Sequence, residues 1–190
     1  DVYKRQELTN ALDKVFIRNV QTNKEEELIF TDEKVYDPSV SLRQKDRDTD
    51  EIYISYSTPK TQNRTYLYNI KTKEKKLVKE QIIPSGHEPT DYIVERLECE
   101  SHDGRIVPIT ITRHKETPVD GSAELLLYGY GSYGHSMSPT FSSTRLSLIN
   151  RKIIWATAHI RGGMERGMKW WKEGKLLNKK NTFEDYIAVG

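Results

Sequence analysis

Glu124-Leu125-Leu126-Leu127-Tyr128-Gly129-Tyr130-Gly131-Ser132-Tyr133-Gly134 is where the character of the chain changes. Leu125-Leu126-Leu127-Tyr128 is a continuous apolar run, as in a strand buried on both faces, and a glycine-rich loop follows it. Phe141, Leu146, Leu148 and Ile149 then space an amphipathic helix that ends near Arg151. Ile153-Ile154-Trp155-Ala156-Thr157-Ala158 reads as a second buried strand, followed by a second glycine loop and a helix over 168–171. Thr182 opens a last helix, with Asp185 three residues on, close to a capping box. Strand, helix, strand, helix in this order predicts an α/β fold with crossover connections and a mostly parallel sheet.

Upstream the pattern is all-β. Apolar-rich segments at 15–20, 28–30, 35–42, 52–57, 66–70 and 76–78 alternate with polar turns, among them 22–27, 46–50 and 58–60. Asn19-Val20-Gln21-Thr22 recurs fifty positions later as Asn69-Ile70-Lys71-Thr72. Four antiparallel strands per ~50 residues is the pitch of a propeller blade, which needs neighbours to cover both faces of its sheet. Residues 82–90 carry Pro84, Gly86 and Pro89 and read as a linker. Two alternating strands follow at 92–99 and 106–113, joined by Ser101-His102-Asp103-Gly104, a strong hairpin signal. The expected organisation is propeller blades over 7–81, a hinge with re-entering strands over 82–122, and the start of an α/β domain over 123–190.

Composition excludes several classes. The chain has 190 residues, 35% of them hydrophobic and 31% charged, which is polar but foldable. No apolar run approaches the ~18 residues of a membrane span. A single cysteine, Cys99, leaves no internal disulfide framework and no cysteine-rich zinc site; no metal or cofactor is expected. Residues 121–190 carry 10 Lys/Arg against 5 Asp/Glu, whereas residues 1–120 carry 20 against 23. The basic residues are scattered and no aromatic platform alternates with them, so nucleic acid is not the expected partner. Asp1-Val2-Tyr3-Lys4-Arg5-Gln6 resembles the translation of a sequencing adapter, so residues 1–6 are set aside and the chain is expected to be a gene fragment.

Gly129-Tyr130-Gly131-Ser132-Tyr133-Gly134 matches the dinucleotide pattern G-x-G-x-x-G. That chemistry needs a helix N-terminus at the loop, and Pro139 stands in the way. An NADP reading, with Arg161 at the 2′-phosphate, stays open as an alternative, as does a propeller-type binding module without catalysis. Ser132 lacks the G-x-S-x-G frame of a nucleophile elbow and reads as a turn residue. What remains is a tyrosine-bearing loop at the carboxyl end of a buried strand, where open α/β sheets bind ligands. A phenol there donates one hydrogen bond without carrying charge, which suits an oxyanion hole as well as it suits a packed turn.

Four motifs occur in order: 127–134, then Phe141-Ser142-Ser143-Thr144-Arg145-Leu146-Ser147-Leu148, then Ala158-His159-Ile160-Arg161-Gly162-Gly163, then Gly174-Lys175 with Lys179-Lys180-Asn181-Thr182-Phe183-Glu184-Asp185-Tyr186. Together they resemble the prolyl oligopeptidase family, and within it the oligopeptidase B branch. The resemblance implies an α/β-hydrolase domain preceded by the last blades of a seven-bladed propeller. It implies a cytoplasmic serine peptidase cleaving short peptides after Lys or Arg. It also implies that Tyr130 donates to the oxyanion, that Tyr133 lines the pocket for the residue before the scissile bond, and that Arg161, Gly162 and Gly163 form a structural loop, with Arg161 paired to Glu165. The catalytic Ser, Asp and His are expected beyond Gly190, so this stretch alone is expected to be inactive. Met164 stands where a third glycine is usual, and Ser138 and Thr140 where relatives often carry Asp, which leaves a dibasic preference open.

Overall fold

The computed structural model describes residues 2–29, 31–42 and 49–190. Phe30 and the first part of the 46–50 turn lie outside the described residues. Among those described, three antiparallel or mixed sheets carry the fold. The first is β1 (Val2–Thr9), β2 (Leu12–Asn19) and β3 (Glu25–Glu27). The second is β4 (Asp37–Leu42), β5 (Glu51–Ser57), β6 (Arg64–Asn69) and β7 (Lys75–Glu80), a four-stranded meander.

Ile52, Ile54 and Tyr56 alternate along β5, so all three face the same side. There they meet Tyr68 of β6 with Val15 and Leu28 from the first sheet, forming one buried cluster. The two sheets thus cover each other. The strand β7 is exposed along its whole length, and Lys75, Lys76 and Lys79 discourage pairing at that edge.

The fifty-residue echo is a repeated turn. Asn19 Oδ1 accepts from the N–H groups of Gln21 and Thr22, and Asn69 Oδ1 accepts from those of Lys71 and Thr72, all at 2.9–3.0 Å. Asn23 and Lys73 then take φ of 57° and 64°. This turn corrects one expectation. The return strand begins at Glu25, inside the segment read as a turn, because the Asn19 turn closes early; Leu28 is buried beyond the strand's end. Residues 2–6, which the sequence reading left out of the fold, have a place in it. They lie in β1, which pairs with β2 from Val2↔Asn19 to Thr9↔Leu12.

The third sheet has the order β10-β11-β9-β8, from β8 (Tyr92–Glu100), β9 (Ile106–His114), β10 (Leu125–Tyr128) and β11 (Ile154–Ala158). The expectation of a mostly parallel sheet fails within this chain. Only β10 and β11 are parallel; β9 is antiparallel to both β11 and β8. The Asp103-Gly104 hairpin is too short for anything but an antiparallel return. The expectation that β10 is buried on both faces fails too: it is an edge strand here, with Leu125 and Tyr128 exposed.

Helices cover both faces of this sheet. Helix α1 (Ser143–Ile149) packs Leu146 and Ile149 with Phe141 against Tyr92 and Trp155. On the other face Val107, Ala158 and Ile160 meet Trp170 of α2 (Met168–Lys172) and Tyr186 and Val189 of α3 (Lys180–Val189). The β1–β2 turn docks on the sheet's end: Ala11 N–H donates to Glu165 O at 2.8 Å, and Arg96 donates to Asn10 O.

Candidate functional site

The carboxyl ends of the parallel strands β10 and β11 release two loops, residues 129–142 and 159–167. Their junction is built on a buried arginine. Arg161 is 1% exposed. Its Nε and Nη2 donate to the two oxygens of Asp185 at 2.9 and 2.6 Å, and its backbone N–H donates to Asp185 Oδ2 at 2.9 Å. The second edge of the guanidinium reaches Asp103 at 2.5 and 3.1 Å. Ser101 Oγ donates to Asp185 Oδ1 at 2.6 Å, and Thr182 Oγ1 donates to Arg161 O at 2.7 Å. The two carboxylates hold the guanidinium's pKa above its ordinary value against the effect of burial, and Arg161 holds Asp103 below the usual carboxylate range.

Two expectations fall here. Arg161 pairs with Asp185 and Asp103, not Glu165. Thr182 and Asp185 form no capping box: α3 starts earlier, at Lys180, so both lie inside the helix and point into the junction. Glu165 is buried elsewhere. Its Oε1 accepts from Met137 N–H at 3.0 Å, and burial raises its pKa. A side chain on Gly163 would meet Glu165 Oε2 at 2.0 Å, so the Glu165 carboxyl needs that glycine.

Backbone meets backbone around the arginine. A Cβ on Gly162, whose φ is +99°, would lie 2.1 Å from Gly131 O and 3.0 Å from Gly174 O. Gly134 N–H donates to Gly162 O at 2.9 Å, and Gly162 N–H donates to Trp170 O at 3.1 Å. The two loops and the chain after α2 are therefore locked in contact that no side chain would allow.

The tyrosine loop sits on this junction. Tyr130 is 44% exposed, and its ring meets the His135 ring edge-on at 5.7 Å. Tyr133 is 90% exposed at φ 55°, a strained position for a bulky residue. Ser132 O accepts from His135 N–H at 3.0 Å, closing a turn over Tyr133 and Gly134, so Ser132 is a turn residue. The Met164 side chain packs beside Gly134. The loop does not run into a helix: α1 begins at Ser143, well past Gly134. Arg161 is also fully engaged, so the NADP alternative loses both its helix dipole and its phosphate ligand. Ser138 is exposed, and Thr140 lends its carbonyl to Arg145.

His159 directly follows β11 and is buried beside the β1–β2 docking turn. Its Nε2 lies 2.9 Å from both Arg96 Nη1 and Thr110 Oγ1. Arginine only donates, so Nε2 accepts and the proton sits on Nδ1. Burial, then the charge of Arg96, push the imidazole pKa down to about 3.

The structure puts Tyr130 and Tyr133 on the first loop and Arg161, Gly162 and Gly163 on the second, with Gly131 and Gly134 against Gly162. Lys179, Asp185 and Tyr186, which the sequence reading quoted without a role at these loops, and Asp103, read there only as part of a hairpin turn, also meet at this junction. Nothing local marks Asp185: on the helix it lies opposite Phe183 and Ile187, so apolar periodicity would turn it toward solvent. Among the described residues no group of three or more His, Cys, Asp or Glu could hold a metal, and no helix is long and apolar enough to cross a membrane.

An α/β sheet with a glycine-locked pair of loops at its parallel strand ends defines the class. Residues 139–190 match the profile of the prolyl oligopeptidase family. The chain is 39% identical to dipeptidyl aminopeptidase BI of Pseudoxanthomonas mexicana over 96% of this chain and 25% of that protein. It is 36% identical to protease 2 of Moraxella lacunata over 85% of this chain and 23% of that protein. The solved structure of oligopeptidase B from Trypanosoma brucei with covalently bound antipain superposes with a TM-score of 0.85 at 30% identity, covering 99% of this chain and 29% of that one. The chain belongs to the prolyl oligopeptidase family. It spans about a quarter of the length of the curated relatives it matches.

Removing Asp185 leaves a buried guanidinium half-paired, whereas Asp103 is partly solvated. Asp185→Ala is expected to lower unfolding free energy by about 3–5 kcal/mol, and Asp103→Ala by about 1 kcal/mol, in urea titrations.

A neutral buried histidine binds fewer protons folded than unfolded. His159 therefore stabilises fully above pH ~6.5, and that contribution is lost as pH falls toward about 3, by up to ~1.4 kcal/mol per unit. Glu165 and Asp37, both raised by burial, act in the opposite sense, Asp37 up to about 6. The comparison with His159→Gln isolates the histidine: the variant's stability is expected to fall less steeply between pH 6 and 4.

Proposed function

We propose that this chain is part of a serine peptidase that hydrolyses short peptides on the carboxyl side of Lys or Arg. The observation that carries the reading is the Tyr130 phenol, exposed at the carboxyl end of β10 on a loop locked by its neighbours. The peptidase names of the relatives support it. In this reading residues 7–81 are the last blades of a propeller that admits only short peptides, residues 82–122 lead back to the hydrolase domain, and residues 123–190 begin it. The nucleophilic Ser and its Asp and His partners follow Gly190, so residues 1–190 alone are inactive. The working location is the cytoplasm.

The serine oxygen attacks the scissile carbonyl carbon while the histidine takes its proton. The carbonyl π electrons move onto oxygen, and the oxyanion accepts hydrogen bonds from the Tyr130 hydroxyl and a backbone N–H beside the serine. The C–N bond breaks as the histidine returns the proton to the leaving amine. Water then releases the acyl group by the same steps. Tyr133, held at positive φ with its ring outward, lines the pocket for the residue before the scissile bond.

The 39% identity to a protein named dipeptidyl aminopeptidase gives a second reading, release of dipeptides from free amino termini. In the full-length protein Tyr130→Phe is expected to lower kcat about 100- to 1,000-fold with little change in KM. The substrate is a short peptide with a blocked amino terminus and an internal Arg. Unchanged kcat would remove Tyr130 from the oxyanion site; cleavage only of unblocked peptides would favour the second reading.

A further inference from the structure

Lys179 has no part in the reading above, yet it touches the loop that carries Tyr130. It is the residue just before α3. Its Nζ donates to Gly131 O at 2.5 Å and to Ser132 Oγ at 2.8 Å. Among the described residues no carboxylate lies within ion-pair distance of it, and burial lowers its pKa. A half-buried ammonium is thus spent on two neutral acceptors, both in one turn of the tyrosine loop.

The peptide bond between Gly131 and Ser132 is the second after the tyrosine, separated from it only by Gly131. Gly131 has φ +59°, and a Cβ there would meet Thr182 Cγ2 at 2.5 Å and Ile160 Cγ1 at 2.7 Å. Its carbonyl oxygen is the atom that a Cβ on Gly162 would strike first. On the other side of Tyr130, the Tyr186 hydroxyl donates to Leu127 O at 2.8 Å. Side chains from α3 and the residue before it therefore grip the backbone on both sides of Tyr130. The aromatic ring against the tyrosine is that of His135, edge-on, and the position of its phenol follows the backbone that bears it. Charge-assisted hydrogen bonds are about twice as strong as neutral ones, which suits a cation to holding a peptide plane.

We infer that Lys179 is a positioning residue, whose ammonium fixes the Gly131–Ser132 peptide and thereby aims the Tyr130 hydroxyl at the developing oxyanion. The inference rests on the reading of Tyr130 as oxyanion donor. A displacement of about 1 Å at a catalytic group can lower the rate by ~100-fold without altering ground-state binding.

A double-mutant cycle in the full-length protein tests it, with kcat and KM measured on a blocked Arg peptide for Lys179→Met, Tyr130→Phe and the pair. Lys179→Met is expected to lower kcat about 10- to 100-fold with KM within ~2-fold, and to lower it by less than ~2-fold when Tyr130 is already Phe. Equal losses in both backgrounds, or no loss with Tyr130 present, would overturn the inference while leaving the tyrosine's role intact. If Tyr130→Phe alone leaves kcat unchanged, the oxyanion reading fails and this inference with it. Should Lys179→Met lose its fold by circular dichroism, Lys179→Gln takes its place in the cycle with the same two outcomes.

Discussion

A guanidinium fully removed from water is stable only if its donors are met by charge and geometry together. Arg161 meets that condition with Asp185 on one edge and Asp103 on the other, and its own N–H and C=O are used as well, by Asp185 and Thr182. One residue therefore joins the end of β11, the inner face of α3 and the β8–β9 turn. With those three elements fixed, the loops at the parallel strand ends have almost no freedom, and Gly131, Gly162 and Gly174 are forced into backbone contact. The orientation of the tyrosine loop is a consequence of this ion pair.

The same constraint explains the unusual face of α3. Thr182 and Asp185 are buried, while Phe183 and Ile187 are 59% and 70% exposed. Hydrophobic periodicity alone would turn this helix the other way. Its inward face carries Thr182 and Asp185 beside Tyr186 and Val189 because the arginine is there. Asp103 shows the same economy: it reads as a turn former before Gly104, and it is also the partly solvated partner of a buried cation. These double roles are invisible to pattern reading, which assigns each residue a single local purpose.

Much of the fold was legible. The period-two run of β5, the repeated Asn19 and Asn69 turns, the Asp-Gly hairpin and the strand–helix–strand passage after residue 123 all follow from local chemistry. The misreadings share one cause, which is that long-range pairing decides. Whether Leu125-Leu126-Leu127-Tyr128 lies at an edge, and whether β9 runs parallel or antiparallel to β11, depends on partners distant in sequence. The strand partner of residues 2–6 is likewise set by pairing with β2 and not by their own composition. Arg161 and Glu165, four residues apart, looked like natural partners, but the chain turns between them and the carboxylate folds back over Gly163. The glycine-bearing motifs fall on loops whose backbones approach closely, a requirement that local sequence does show.

Amide hydrogen exchange tests the account most directly. If the Arg161 junction holds the two loops as one rigid unit, the N–H groups of Arg161, Gly162 and Gly134, bonded to Asp185, Trp170 O and Gly162 O, should exchange only through openings nearly as costly as unfolding of the third sheet itself. Exchange of these amides at the rate of a free surface loop, while the β9 and β11 amides stay protected, would contradict it.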